Sequence, residues 1–314
     1  MSIKKNLKTI LPLAFGAGLV WYSISKISIN ILIGYFKEAN YNWIFLGLFF
    51  GILSHLSRAY RWKFMLAPLG FKPKFTNSVL AVLVGYLVNL ALPRAGEVSR
   101  ALVLTNYEDV PFEKGFGTIV AERIADLVMM LCIILITLFV QFDFIYELLS
   151  KNFNPIKISI SLVVLILGFY TLTSFVKKAT SGFLLKIKTF VAGLVEGVTS
   201  IFKMKNKWAF IFHTLFIWIM YVAMFWATIP AIEGLNVPFG GILIGFIAGG
   251  FSIAATNGGI GLYPIAVAGA LALFDISTET ATAFGWIMWT AQTAMIIVFG
   301  GLAFLFLPIH NKNK

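Results

Sequence analysis

Eight charged residues stand where a chain this apolar can least accommodate them: Arg58 and Arg61, then Arg94, Glu97 and Arg100, then Glu122, Arg123 and Asp126. A charge inside hydrocarbon costs about 3 kcal/mol or more, so each one needs a partner or a task. Arg58 and Arg61 are three residues apart, Arg94, Glu97 and Arg100 repeat that step, and Glu122 and Asp126 are four apart. On a helix each set shares a face. Five arginines against three acids leave a sum of +2. Opposite charges this close lower one another's desolvation cost, so a network of pairs is expected. The surplus positive charge suits an anion, and guanidinium groups offer phosphate bidentate donors. The expected chemistry is recognition of an anionic lipid headgroup, of the phospholipid or polyprenyl-phosphate kind, drawn from the inner leaflet. Two other readings stand beside it. The network could simply hold helices together, and Arg58 and Arg61 could be snorkelling anchors at a span's cytoplasmic end. Asn89, seven residues before Gly96, is either a lining residue of the same cavity or a helix-packing amide.

A second polar stretch carries no charge. Thr256-Asn257-Gly258-Gly259-Ile260-Gly261 interrupts another apolar region and is followed by Tyr263 and Pro264. Backbone amides at a helix start bind anions, and proline near a first turn marks a new helical arm. Asn257, Gly258, Gly259 and Tyr263 therefore join the candidate site. The Gly241, Gly245, Gly249 series at spacing four reads as a close-packing face.

What positions these residues is a membrane protein. Of 314 residues 59% are hydrophobic and 12% charged, with a mean hydropathy of +0.90. Length alone would suit two soluble domains, but soluble domains carry about twice that share of charge. The apolar runs are long and continuous rather than alternating, which predicts helices and not a barrel. The fold class expected is all-α and polytopic. A hydrocarbon core about 30 Å thick needs about 20 helical residues. Runs at roughly 7–25, 42–66, 121–142, 158–176, 208–230 and 282–307 qualify as six full spans. The first follows Lys4, Lys5 and Lys8 like a signal peptide, but no small-residue cleavage site follows and Trp21-Tyr22 reads as an interfacial pair, so the span is taken as retained.

Regions 76–106 and 239–274 are each broken, the first by Pro93-Arg94-Ala95-Gly96-Glu97 and the second at 257–261. Each break leaves one arm too short to span, which predicts two re-entrant helical hairpins. The lysines agree. With hairpins that return to their own side and a cytoplasmic N-terminus, sixteen lysines face the cytoplasm and only Lys26, Lys37, Lys151 and Lys157 face outward. The C-terminus is then cytoplasmic too. Residues 182–203 show a helical apolar period that suits a helix lying on the cytoplasmic membrane face.

The two broken regions match in position and pattern. Pairing Glu113 with Glu279 sets Asp126 against Gln292. This predicts a single transmembrane domain with repeat one at about 42–142 and repeat two at about 208–307, linked by span 158–176 and helix 182–203. Three crossings separate the repeat starts, so the repeats are expected to be inverted, a recurrent transporter design. The formal charge of +12 is assigned to cytoplasmic loops and anionic lipid rather than to nucleic acid. Cys132 is alone, which excludes an internal disulfide, and is expected to be plain packing. The sequence fixes no oligomeric state.

Taken in order, Arg58-Ala59-Tyr60-Arg61-Trp62, Asn89-Leu90-Ala91-Leu92-Pro93-Arg94-Ala95-Gly96-Glu97-Val98-Ser99-Arg100, Glu122-Arg123-Ile124-Ala125-Asp126 and Gly258-Gly259-Ile260-Gly261 resemble the lysylphosphatidylglycerol synthase transmembrane-region family, also called flippase-like membrane proteins. The resemblance covers about residues 5–307. It implies a prokaryotic inner-membrane protein linked to moving a lipid between leaflets. In the best-known relatives the lipid is aminoacylated phosphatidylglycerol and a separate soluble domain attaches the amino acid. With the chain ending at Lys314, a stand-alone membrane region is expected here. Relatives often carry an acid soon after the Gly-Gly-x-Gly element and a proline before it. Tyr263 and Thr256-Asn257 occupy that neighbourhood, which counts against a cationic headgroup.

Two other classes compete. One is an ion-coupled transporter of a small anionic solute, with Glu97, Glu122 or Asp126 carrying a proton. The other is an intramembrane enzyme, whose metal would need a lone histidine such as His55 with Glu122 and Asp126. No Walker-type loop and no His-Glu-x-x-His element occur, so no catalytic activity, cofactor or metal is expected.

Overall fold

A computed structural model of the chain describes residues 16, 18–25, 27–92, 94–152 and 204–312, with isolated positions between 164 and 188. The expected span at 158–176, the interfacial helix at 182–203 and the start of the first run lie outside the described residues, apart from those positions. Among the described residues the elements are all helical. They are α1 (Gly18–Ser25), α2 (Ile29–Glu38), α3 (Tyr41–Leu66), α4 (Phe75–Ala91), α5 (Ala95–Glu108), α6 (Phe112–Val140), α7 (Phe142–Asn152), α8 (Lys207–Thr228), α9 (Phe239–Ala255), α10 (Leu262–Ala272) and α11 (Thr278–His310). Four stretches are long and apolar enough to cross a membrane: Tyr41–Leu69, Phe112–Val140, Lys207–Ala231 and Thr278–His310. They coincide with four of the expected spans. α4, α9 and α10 are shorter apolar helices.

The chain forms two compact units, Met1–Val120 with Trp208–Lys314, and Ala121–Lys207. In the first unit α11 is the central ruler, 33 residues and so about 50 Å long. Ser277 caps its start, the hydroxyl accepting from the Thr280 amide at 3.1 Å. α3 and α8 run antiparallel: Gly47 meets Thr228 and Ser57 meets His213. Phe225, Leu271, Phe284 and Ile287 form the centre of the apolar core, where the Phe225 and Phe284 rings cross edge to face at 5.1 Å.

Both broken regions fold as antiparallel helix pairs. In the first, Asn77 bonds to Glu108, Gly85 lies against Arg100, and Asn89 bonds to Gly96. In the second, Gly241 meets Phe274, Gly245 meets Leu271 and Gly249 meets the Tyr263 ring. The glycine series is thus a packing face, as its spacing implied. Chain chemistry sets both breaks. The residue before a proline is pushed out of the helical region, and Leu92, ahead of Pro93, is extended at φ −132° and ψ 113°. At the second break Gly258, Gly259 and Gly261 all take positive φ, which glycine adopts without steric cost.

Contacts along α11 fix how the pairs run. Asn77 at the start of α4 exchanges two 2.9 Å hydrogen bonds with Asn311 just past the end of α11. Gly300 of α11 packs on Leu83 and Leu87 of α4. Near the other end, Gly285 packs on Pro264, and the Trp289 indole donates to the Gly258 carbonyl at 2.8 Å. The α4–α5 pair therefore approaches from the C-terminal end of α11 and the α9–α10 pair from its N-terminal end. Their tips meet partway along: a Cβ on Gly258 would sit 2.7 Å from Leu90 Cδ2.

Three features depart from the sequence expectations. α2 and α7 are helices where loops were expected. α2 turns Leu32, Tyr35 and Phe36 toward the core and bonds Tyr35 to Thr280 at 3.0 Å, so its apolar stripe is used although it is short. α6 begins at Phe112 rather than 121, because Glu113 and Lys114 lie in its first turn instead of in a loop. Cys132, expected to be buried packing, is exposed on α6 beside exposed Leu131, Leu135 and Phe139. An apolar thiol suits a helix surface facing lipid as well as a core.

Candidate functional site

The break after α4 carries the greatest density of polar chemistry. Arg94 is the residue before α5 and is held in the left-handed region at φ 61°. That conformation costs a non-glycine residue about 1 kcal/mol or more. The three-residue step placed Arg94 on the same helix face as Glu97 and Arg100. It is instead outside the helix and exposed at the turn, while Glu97 lies in the first turn and Arg100 one turn further on. Glu97 is half-buried at the positive end of α5, a favourable place for a carboxylate.

Asn89 joins the two arms across the break. Its side-chain oxygen accepts a 2.7 Å hydrogen bond from the Gly96 amide, and its amide nitrogen lies 3.5 Å from Glu97 Oε2. It is a packing and capping amide that ties the end of one arm to the start of the next. Gly85 and Gly96 allow the arms to touch through their backbones, since a Cβ on either would strike the other's carbonyl.

Arg58, Arg61 and Arg100 are all buried. Arg61 donates to Thr214 at 2.9 Å, and its guanidinium lies 5.3 Å from the Phe210 ring. Arg100 lies 4.4 Å over Trp62, whose indole donates to Thr118 at 2.8 Å. Such cation–π contacts contribute about 1 kcal/mol each, more when dry. Arg61 and Arg100 therefore help lock α5 and α8 to α3. Arg58 donates to the Tyr221 hydroxyl at 3.4 Å, which bonds to the Tyr86 hydroxyl at 3.1 Å. Neither tyrosine was marked by the sequence. Their hydroxyls in otherwise apolar helices were the available signal, because buried phenols need partners.

Glu122, Arg123 and Asp126 belong to the second unit. Glu122 and Asp126 are buried, and exposed Arg123 bridges Asp126 at 3.6 Å across one helical turn. The shared face of Glu122 and Asp126 follows their spacing of four.

At the second break Asn257 and Gly258 are half-buried and Gly259 is buried. Tyr263 is buried, fills the space opposite Gly249 and receives a 3.4 Å contact from Gln292 Nε2. It supports the turn from behind. The pairing of Leu90 with Gly258 brings this turn to the tip that carries Arg94. Among the described residues no group of His, Cys, Asp and Glu side chains assembles in the number a metal ion needs.

Residues 9–301 match the family described as the lysylphosphatidylglycerol synthase TM region. A UPF0104 membrane protein of Methanocaldococcus jannaschii is 31% identical over 129 residues, which is 40% of this chain and 38% of that relative. The chain thus spans well under half the length of this curated relative. No solved structure matches the chain.

Proposed function

The chain belongs to the lysylphosphatidylglycerol synthase TM region family, and from that premise we propose that it moves an anionic lipid between leaflets. The lipid is of the phospholipid or polyprenyl-phosphate type. The observation that carries this reading is the meeting of two broken helix pairs that approach from opposite ends of α11, Leu90 against Gly258, with Arg94 and Glu97 at the junction. Irregular backbone at membrane depth is tolerated only inside protein or along a wet cavity. Paired breaks that meet near the midplane are where secondary transporters bind substrate. On this reading the two pairs are re-entrant hairpins of an inverted repeat, and the junction receives the headgroup while the acyl or prenyl chain stays in lipid.

Charge supports the orientation. The end of the first unit near Asn311 gathers Lys63, Lys72, Lys74, Lys114 and Lys312 beside Glu108, Asp109 and Glu113, whereas among the described residues the end near Thr278 has Lys37 with Glu38, Glu233, Asp275 and Glu279. By the positive-inside rule, which counts lysine and arginine, this bias supports a first end that faces the cytoplasm of a prokaryotic inner membrane. Function needs no catalytic step and no cofactor on this reading.

The test is reconstitution into liposomes carrying labelled phospholipids or a labelled polyprenyl phosphate. Leaflet exchange is expected to exceed that of protein-free vesicles for an anionic lipid. A broad panel with no acceleration would overturn the proposal. Exchange confined to water-soluble anions would instead identify a solute transporter.

A further inference from the structure

A buried histidine of the first unit lies outside the junction of the two helix pairs. His55 of α3 is 8% exposed, and neither of its ring nitrogens has a hydrogen-bond partner among the described residues. A buried polar group without a partner is destabilising, whereas a phenylalanine of similar shape would carry no such penalty. The ring is otherwise well seated. It stacks on Tyr86 of α4 at 4.4 Å between centroids and meets Tyr221 of α8 edge-on at 6.5 Å. One helical turn on, Arg58 bonds to Tyr221, and the two tyrosine hydroxyls bond to each other.

His55 therefore packs against a hydrogen-bonded tyrosine pair. Tyr86 and Tyr221 are half-buried and His55 is buried, so the tyrosines are the more accessible members of the cluster. A guanidinium, an imidazole N–H and two phenols together supply donors for a group with several acceptor oxygens. A phosphoryl group is such a group, and arginine is its usual partner. Tyr86 lies on α4, about one helical turn before Asn89, which caps the first break.

We propose that His55 is a ligand-binding residue: when a phosphoryl group displaces the Tyr86–Tyr221 pair, the imidazole N–H donates to one of its oxygens beside Arg58. This deepens the lipid reading above and rests on it for the chemistry of the ligand. It explains a polar ring kept without partners in the unliganded fold.

The experiment uses the full chain in detergent micelles. The probes are dioctanoyl phosphatidate, inorganic phosphate and, as a phosphate-free control, dioctanoylglycerol. Affinity is measured by titration calorimetry, and the His55 ring nitrogens by NMR. His55→Phe is expected to weaken phosphatidate binding about tenfold, the equivalent of one lost hydrogen bond to a charged group. Its unliganded form is expected to unfold at the wild-type temperature or above. His55→Gln, which keeps a donor, is expected to hold most of the affinity. Equal weakening for inorganic phosphate assigns the contact to phosphate itself, and weakening for phosphatidate alone assigns it to the lipid headgroup; both support the proposal. Wild-type affinity in His55→Phe overturns it, as does an equal loss for dioctanoylglycerol, which would report packing only. If His55→Phe does not fold, a ring-nitrogen signal that phosphatidate leaves unmoved in the wild type overturns it. Wild-type protein that binds phosphatidate and exchanges it in vesicles, with His55→Phe unchanged in both, removes this inference alone. Wild-type protein that neither binds nor exchanges any phosphate lipid removes the lipid reading and this one together.

Discussion

Asn89 holds the amide of Gly96 at 2.7 Å across the first break, so a side chain at the end of α4 caps the start of α5. This one bond does what an N-cap residue ordinarily does, but from the preceding helix. The local cap position is occupied by Arg94, whose side chain makes no cap bond. Loss of a cap oxygen costs about 1 kcal/mol. Asn89→Ala is therefore expected to lower stability by roughly that amount and to slow lipid exchange, because α5 also positions Glu97. Denaturation in detergent and vesicle exchange measure the two effects. Unchanged stability would show that water caps the helix as well.

Backbone contact at Gly85 and Gly96 makes a second expectation. A methyl at Gly85 would lie 2.6 Å from Arg100 Cγ and 3.0 Å from the Gly96 carbonyl. The latter is backbone and cannot swing aside. Overpacking of this kind costs about 1–3 kcal/mol. Gly117 of α6 has open space where its Cβ would go. Gly117→Ala is expected to stabilise by up to about 1 kcal/mol through helix propensity. The opposite signs of Gly85→Ala and Gly117→Ala in one unfolding assay test the tight crossing. Equal behaviour would sink it.

Arg94 separates conformation from charge. Its left-handed backbone is a strain that glycine would relieve, worth about 1 kcal/mol. Arg94→Gly is thus expected to be more stable than wild type, yet slower in exchanging an anionic lipid. Arg94→Ala keeps the strain and loses the charge, so it should be slow without the gain. If Arg94→Gly exchanges lipid at the wild-type rate, the guanidinium has no part in transport.

Much of this arrangement was legible in the chain. Every arginine in the sequence belongs to the polar constellation, and the structure buries three of them. Pro93 and the glycines at 258, 259 and 261 announced both breaks, because their backbone chemistry acts locally. What was not legible depends on partners distant in sequence. Arg58 finds Tyr221 163 residues away, and Asn77 finds Asn311 234 residues away. Spacing carries no information at that range, and in a chain with 16% aromatic residues a tyrosine does not stand out. α2 was missed because its apolar stripe covers only ten residues between polar ends. Arg94 was misplaced because a constant step of three assumes a helix that begins earlier than α5 does.

The topology itself is open to a direct test. Asn77 beside Asn311 puts the base of the first helix pair at the C-terminal end of α11, and Pro264 beside Gly285 puts the second pair toward the other end. If both pairs are re-entrant, the residues flanking each pair share a side. Cys132 is the only thiol, so Cys132→Ser gives a clean background. Single cysteines at Lys74 and Glu113 flank the first pair, and at Glu233 and Glu279 the second; all four positions are exposed. In oriented membrane vesicles an impermeant maleimide is expected to label Lys74→Cys and Glu113→Cys from the cytoplasmic side only. Glu233→Cys and Glu279→Cys should label from the opposite side only. Labelling of Lys74→Cys and Glu113→Cys from opposite sides would mean that α4 and α5 together cross the membrane. The tips could then no longer meet at a midplane, and the lipid path would have to be sought elsewhere.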